Sequence, residues 1–385
     1  MNIKELDASY VANTYARFDA VITSGKGSVL LGDDGKEYID FGSGIGTNAF
    51  GAADDIWKEA VIEQLNKIQH TSNLYYTEPG AILAEMLCTK TGMKKVFFSN
   101  SGAESNECAI KVARKYGTDQ NPCKNVIITL ENSFHGRTIT TLAATGQDKF
   151  HHNFTPFTEG FIHVPANDCD ALNNAITDNV VAIMIETVQG EGGVNVLDKD
   201  FLAEIEKITT EKDILLIIDE VQTGNGRCGE LYSYMGLGLT PDVVSTAKGL
   251  AGGLPMGATM LGDKVEKTLS FGDHGSTFGA NPVCAAAAIS NIKRLDDEFL
   301  AEVKEKSLYL KDELLKINGV KSVSGMGLML GIETEKAAGD IAKECLLKGL
   351  LVLTAKTKVR LLPPLNITRD ELDRGLKILK EVIEG

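Results

Sequence analysis

A chain of 385 residues with a formal net charge of −14 has room for one large α/β domain with a smaller one appended, or for two domains, around a substantial core. The acid excess excludes the basic face expected of a nucleic-acid binder or of a protein held on an anionic membrane. The seven cysteines (Cys88, Cys108, Cys123, Cys169, Cys228, Cys284 and Cys345) form no Cys-x-x-Cys pair, which points to a reduced, intracellular chain without a zinc site or other metal.

The opening stretch Met1-Asn-Ile-Lys-Glu-Leu-Asp7 lacks the apolar core of a secretion signal and carries acids that transit peptides avoid. No apolar run reaches membrane-spanning length, so the expected location is the cytoplasm, of a prokaryote. Gly32 to Phe41 reads as a hairpin available to a small sheet. From about residue 94 to 262, β-branched runs alternate with helical segments: Val96–Phe98, Asn125–Leu130, Phe161–Val164, Val180–Glu186, Ile214–Asp219, Val243–Ser245 and Gly257–Leu261. That alternation predicts a mostly parallel, doubly wound sheet in a large domain over residues 51–289. Further on, the pattern predicts a strand near Gly327–Glu333, a helix near Ala337–Lys348, a strand near Lys358–Leu362 and a last helix opened by a Thr368–Glu371 capping box. Residues 1–50 and 290–385 are expected to make one discontinuous, smaller α+β domain.

Four local patterns carry chemistry. Asn100-Ser-Gly-Ala-Glu104 follows a strand and opens a helix, so the backbone N–H groups of Ser101, Gly102 and Ala103 can face a phosphate; an ordinary Ser or Asn cap is the alternative. Phe134-His-Gly-Arg137 offers an aromatic face to a planar ring and a guanidinium to a carboxylate, although such residues also serve as core and surface ion pair. His135, with no second His or Cys at ligand spacing, reads as a local hydrogen-bonding residue. Asp219-Glu-Val-Gln222 ends an apolar strand and can hold a protonated ring nitrogen; a magnesium-binding acid pair competes, but no Walker A partner accompanies it. Lys248 stands at another strand end, 29 residues beyond Asp219, where partial desolvation would free its amine to capture a cofactor aldehyde. Most lysines are plain surface charges, so only its companions raise this one above the rest.

In this order, the stretches Asn100 to Lys111, Phe134-His-Gly-Arg-Thr138, Glu186-Thr-Val-Gln-Gly-Glu-Gly-Gly193, Asp219-Glu-Val-Gln-Thr-Gly224, Ala247-Lys-Gly249 and Ser276-Thr-Phe-Gly-Ala-Asn-Pro282 resemble the class-III aminotransferases. These are pyridoxal-phosphate enzymes of fold type I, and the likeness spans nearly the whole chain. Ser72-Asn-Leu-Tyr-Tyr76, His274-Gly-Ser-Thr277 and Val359-Arg-Leu-Leu-Pro-Pro364 bring it nearest to the branch acting on N2-acetylornithine with 2-oxoglutarate as acceptor. The resemblance implies that Lys248 binds the aldehyde of pyridoxal 5'-phosphate, Asp219 pairs with the ring nitrogen, and Gln222 reaches the ring oxygen. It further implies that Ser101, Gly102 and Ala103 hold the phosphate, Phe134 lies over the ring, and Thr277 reaches the phosphate of the other subunit of a homodimer. Arg137 and Ser276 are implied to contact substrate. Arg360 is implied to bind the oxo-acid carboxylate and to pair with Glu191 when the donor is bound.

Against the family pattern, Gly51-Ala52, Thr187, Asn225 and Cys228 are departures, while Ile45 stands where ornithine aminotransferases carry a substrate-contacting tyrosine and so favours an acylated substrate. Rival readings are another amine donor (ornithine, succinylornithine, 4-aminobutyrate or an acyl-lysine), an aminomutase, and a non-catalytic binding protein on the same fold. A nicotinamide site at Gly44-Ile-Gly-Thr-Asn-Ala49 is a further rival.

Overall fold

The computed structural model describes residues 2–385. Its central seven-stranded sheet has the spatial order Lys95–Ser99, Gly257–Leu261, Val243–Thr246, Leu215–Asp219, Val180–Ile185, Val126–Leu130 and Phe161–Val164. Pairing is parallel from Val243–Thr246 through to Phe161–Val164, while Gly257–Leu261 runs antiparallel to both of its neighbours. Every residue of Val180–Ile185 and Leu215–Asp219 is buried, as the unbroken apolar runs require of strands covered on both faces. Successive side chains go to opposite sides. Leu215 and Ile217 pack with Ala109 and Val112 of the helix Gly102–Gln120, and Leu216 and Ile218 with Phe201 and Ile205 of the helix Lys199–Glu211.

The N-terminal strands Ile22–Lys26, Val29–Gly32 and Glu37–Asp40 form an antiparallel meander whose last member pairs in parallel with Leu350–Leu351. The expected hairpin therefore forms but joins neither of the predicted C-terminal strands. Those lie, as Met329–Thr334 and Lys358–Leu361, in a separate antiparallel sheet with Val320–Met326 and Leu353–Ala355. The reason is local. The helix Ala338–Lys348 stops at Gly349 in a left-handed conformation, and the Gly349 carbonyl accepts from the Ile39 N–H at 2.9 Å, which delivers Leu350 to the meander's edge. Phe41 then links the two sheets, donating its N–H to the Leu351 carbonyl at 2.9 Å and accepting from the Leu362 N–H at 2.7 Å. The capping box of Thr368 and Glu371 opens the last helix, Arg369–Glu384, as predicted.

Candidate active site

A cavity of about 370 Å³ opens where the parallel strands end at their carboxyl side, the usual ligand position in an open α/β sheet. Ser101, Gly102, Ala103, Phe134, Arg137, Asp219, Gln222 and Lys248 all line it. Eight candidates spread over nearly 150 positions of sequence thus share one wall-to-wall space.

The helix Gly102–Gln120 starts at its edge. Ser101 is a true cap, its Oγ accepting from the Glu104 N–H at 3.2 Å, and Glu104 Oε2 in turn accepts from the Asn100 N–H at 2.7 Å. That exchange leaves the first-turn N–H groups of Gly102 and Ala103 without helical acceptors, so capping and anion binding coexist. Only glycine fits at 102, because a Cβ there would lie 2.6 Å from Val221 Cγ1.

Asp219 is buried and held by three hydrogen-bonding partners. Its Oδ2 accepts from Asn106 Nδ2 at 2.7 Å and lies 2.8 Å from His135 Nδ1, while Oδ1 accepts from the Val221 N–H at 3.0 Å. His135 is thus the hydrogen-bonding residue expected, with Asp219 as its partner. Glu220, the second acid of the pair, is turned away into the core, where it accepts from Ser233 Oγ at 2.6 Å and the Tyr234 N–H at 3.0 Å. The two acids therefore do not converge on a metal. Among the described residues no group of three or more His, Cys, Asp or Glu could hold one.

Lys248 is half-buried and has φ +45, a left-handed backbone that is strained for a side chain with a Cβ. Carboxamides clamp it from both sides. Asn225 Nδ2 donates to Thr246 Oγ1 at 2.9 Å and to the Ala247 carbonyl at 3.1 Å, and Asn291 Nδ2 donates to the Gly249 carbonyl at 3.1 Å. Burial lowers the Lys248 pKa from its ordinary 10.5, against the opposing pull of Glu191, so its neutral amine is accessible at lower pH than on a surface lysine.

Next to the cavity, Arg360 Nη1 donates to Glu191 Oε1 at 2.7 Å, Gln222 Oε1 at 3.0 Å and the Gly190 carbonyl at 3.1 Å. Although burial pushes the Glu191 carboxyl up, the Arg360 guanidinium outweighs it and holds the group below its ordinary value. Gln222 is the shared member, lining the cavity and touching the ion pair. Ser276 Oγ accepts from Asn100 Nδ2 at 3.1 Å, and Thr277 beside it is exposed and outside the cavity lining.

Asn106, Glu186, Asn225 and Asn291 escape a residue-by-residue reading. Glu186 had a signal, an acid closing the buried strand Val180–Ile185; its Oε2 accepts from the Phe134 N–H at 2.9 Å. Asn225 stood out only as a departure from the family pattern and Asn291 not at all, since their partners, Thr246 Oγ1 and the carbonyls of Ala247 and Gly249, are brought in by the fold. At Gly44-Ile-Gly the chain does not make the strand, turn and helix of a dinucleotide site. Ser43, Gly44, Ile45 and Gly46 take φ values of 41, 63, 60 and 74 and form one left-handed turn.

The donor set suits pyridoxal phosphate: free N–H groups for a phosphate, an aromatic face for a ring, a fixed carboxylate for a ring nitrogen, and a lysine with a lowered pKa for an aldehyde. Comparison with known proteins agrees. The family Aminotransferase class-III matches residues 10–383. A protein of Haemophilus ducreyi named acetylornithine aminotransferase is 54% identical over 385 residues, covering 99% of this chain and 98% of that protein. The crystal structure of N-acetylornithine aminotransferase from Stenotrophomonas maltophilia superposes with TM-score 0.86 at 35% identity, covering 99% of this chain and 98% of that one. Ornithine aminotransferase from Toxoplasma gondii superposes with TM-score 0.94 at 30% identity, covering 99% and 94%. By family match, identity and architecture together, the chain belongs to the class-III aminotransferases, pyridoxal-phosphate enzymes of fold type I.

Proposed function

We propose that the chain transfers the terminal amino group of N2-acetyl-L-ornithine to 2-oxoglutarate, giving N-acetyl-L-glutamate 5-semialdehyde and L-glutamate, a step of arginine biosynthesis in the cytoplasm. The observation that carries the reaction class is the convergence of Lys248, Asp219 and the helix N-terminus at Gly102 on one cavity. The choice of an acetylated donor rests on the relatives' names and on Ile45, an aliphatic side chain at the turn before the cavity.

When bound, pyridoxal phosphate supplies an aldehyde to carry the amino group and a ring that draws electrons from the adjacent carbon. Ser101, Gly102 and Ala103 hold its phosphate and Phe134 covers the ring. Asp219, fixed by Asn106, His135 and the Val221 N–H, keeps a proton on the ring nitrogen. Gln222 serves the ring oxygen. Lys248 would hold the aldehyde carbon and, once free of it, would move a proton at the substrate carbon as general base and acid. Arg137 and Ser276 contact substrate. Glu191 covers the Arg360 charge while the donor is bound and leaves it to the carboxylate of 2-oxoglutarate, so the buried Arg360 charge is never stranded.

Thr277 acts in a homodimer, reaching the partner's phosphate. Supporting that reading, fully exposed Tyr76 and Phe271, with Leu74, Tyr75 and Phe278, surround the Thr277 loop with apolar area of the kind a second copy covers. Residues 1–50 with 290–385 act as a small domain and 51–289 as a large one in the same reading.

The test is a donor panel run on the cofactor-loaded enzyme, followed by 2-oxoglutarate, with the cofactor spectrum watched through the cycle. N2-acetylornithine should give the highest kcat/KM among acetylornithine, ornithine, succinylornithine, 4-aminobutyrate and acyl-lysine, and Lys248→Ala should bind cofactor without turnover. A higher kcat/KM for another donor replaces the substrate, and full activity of Lys248→Ala ends the assignment.

A further inference from the structure

Two arginines flank the cavity and their charges are managed in opposite ways. Arg360 is buried and covered by Glu191 at 2.7 Å. Arg137 is exposed at the rim, and its guanidinium makes no ion pair or hydrogen bond among the described residues. What holds it is aromatic: its Cζ lies 4.1 Å from the ring centre of Phe150 and 5.5 Å from that of Phe134. The two rings meet edge to face, with centres 6.1 Å apart and planes at 69°.

Phe150 comes from a turn of its own, the 3-10 segment Asp148–Phe150, and buried Gln147 ties that turn back to the Phe134 loop. Gln147 accepts from the Phe150 N–H through its backbone carbonyl at 3.0 Å and donates its Nε2 to the Ser133 carbonyl at 2.9 Å. The same ring carries Lys149 Nζ at 4.8 Å, which places a second positive charge nearby.

We propose that Phe150 is a specificity-setting positioning residue, whose ring holds Arg137 in place of an acidic partner and so leaves that guanidinium open to a substrate carboxylate in both halves of the exchange. The inference rests on Arg137 being a substrate-contacting residue, as in the reading above. Contact with a ring engages no oxygen acceptor, so the guanidinium keeps its N–H edges free for a bidentate carboxylate. An acidic partner would occupy those edges and would have to be displaced each time. Glu191 imposes that condition on Arg360; nothing imposes it on Arg137.

The test compares cofactor-loaded wild type with Phe150→Leu, Phe150→Tyr and Arg137→Ala. For Phe150→Leu, KM for N2-acetylornithine should rise about 3- to 10-fold while kcat changes less than about twofold, the scale of one lost cation–aromatic contact. Calorimetric binding of glutarate, a dicarboxylate that cannot react, should weaken by a similar factor. The kcat/KM for 1,4-diaminobutane, which has no carboxylate, should not move, and Phe150→Tyr should restore both carboxylate readouts. Phe150→Met replaces the leucine variant if that fails to fold. Unchanged KM and glutarate binding in Phe150→Leu, while Arg137→Ala weakens both, overturns the role of Phe150 alone. If Arg137→Ala also changes neither, the substrate contact assigned to Arg137 is what fails.

Discussion

Asp219 and Glu186 close neighbouring parallel strands, yet their surroundings differ. Asp219 has three hydrogen-bonding partners, whereas Glu186 meets the Phe134 N–H. Burial, and then the nearby charge of Asp219, push the Glu186 carboxyl well above its ordinary 4.5. Glu186→Gln, which keeps an acceptor for the Phe134 N–H, should cost far less than Asp219→Asn, which removes the charge at the ring nitrogen and should lower kcat by on the order of 100-fold. Equal losses in the two variants would refute that division. His163 offers a pH test away from the cavity. Burial, with His151 beside it, lowers its pKa from 6.5 to about 4. Between those values the unfolded chain binds the proton and the folded one does not, so stability falls as pH drops from 6.5 toward 4. Melting curves at pH 7 and pH 5 should show a smaller acid-induced drop in Tm for His163→Gln than for wild type, and an identical drop would exclude the effect.

At the scale of elements, the start of the helix Gly102–Gln120 joins two tasks in one turn. Ser101 caps it while Gly102 brings its backbone close to Val221, which sits between Asp219 and Gln222. In Gly102→Ala the new Cβ has to displace the stiff Val221 side chain or the helix start, a strain of about 1–3 kcal/mol. Cofactor affinity, followed by equilibrium dialysis, should fall by about 10-fold on that scale; wild-type affinity would show that the turn has slack. The cap and its glycine were legible in the sequence because they are local. Asn106, one helical turn further on, was not, since it matters only where the helix lies beside Asp219 at 2.7 Å.

At the scale of the molecule, exposed Leu74, Tyr75 and Tyr76 and exposed Phe271 and Phe278 lie on two segments tied together by Asn73, whose Nδ2 donates to the carbonyls of Ser276 and Gly279, each at 3.0 Å. One docked surface would therefore order both, together with Thr277. Phe271→Glu places a charge in that surface and should yield monomers by light scattering, with weakened cofactor retention in step with dissociation. A monomeric wild type, or a monomeric variant with full cofactor affinity, would separate Thr277 from the site.

Sequence alone determined the parallel-rich sheet, the strand-end positions of Asp219 and Lys248 and the capped turn at Ser101, because periodicity, strand ends and caps are properties of consecutive residues. It also carried the family likeness. Tertiary structure decided which of two adjacent acids faces the cavity, that asparagines 225 and 291 clamp the strained Lys248, and that the N-terminal meander joins Leu350–Leu351. It also decided that aromatic rings hold Arg137 while a carboxylate holds Arg360. Each of these turns on contacts between segments far apart in the chain, where a side chain's neighbours are set by packing and burial instead of by its place in the sequence.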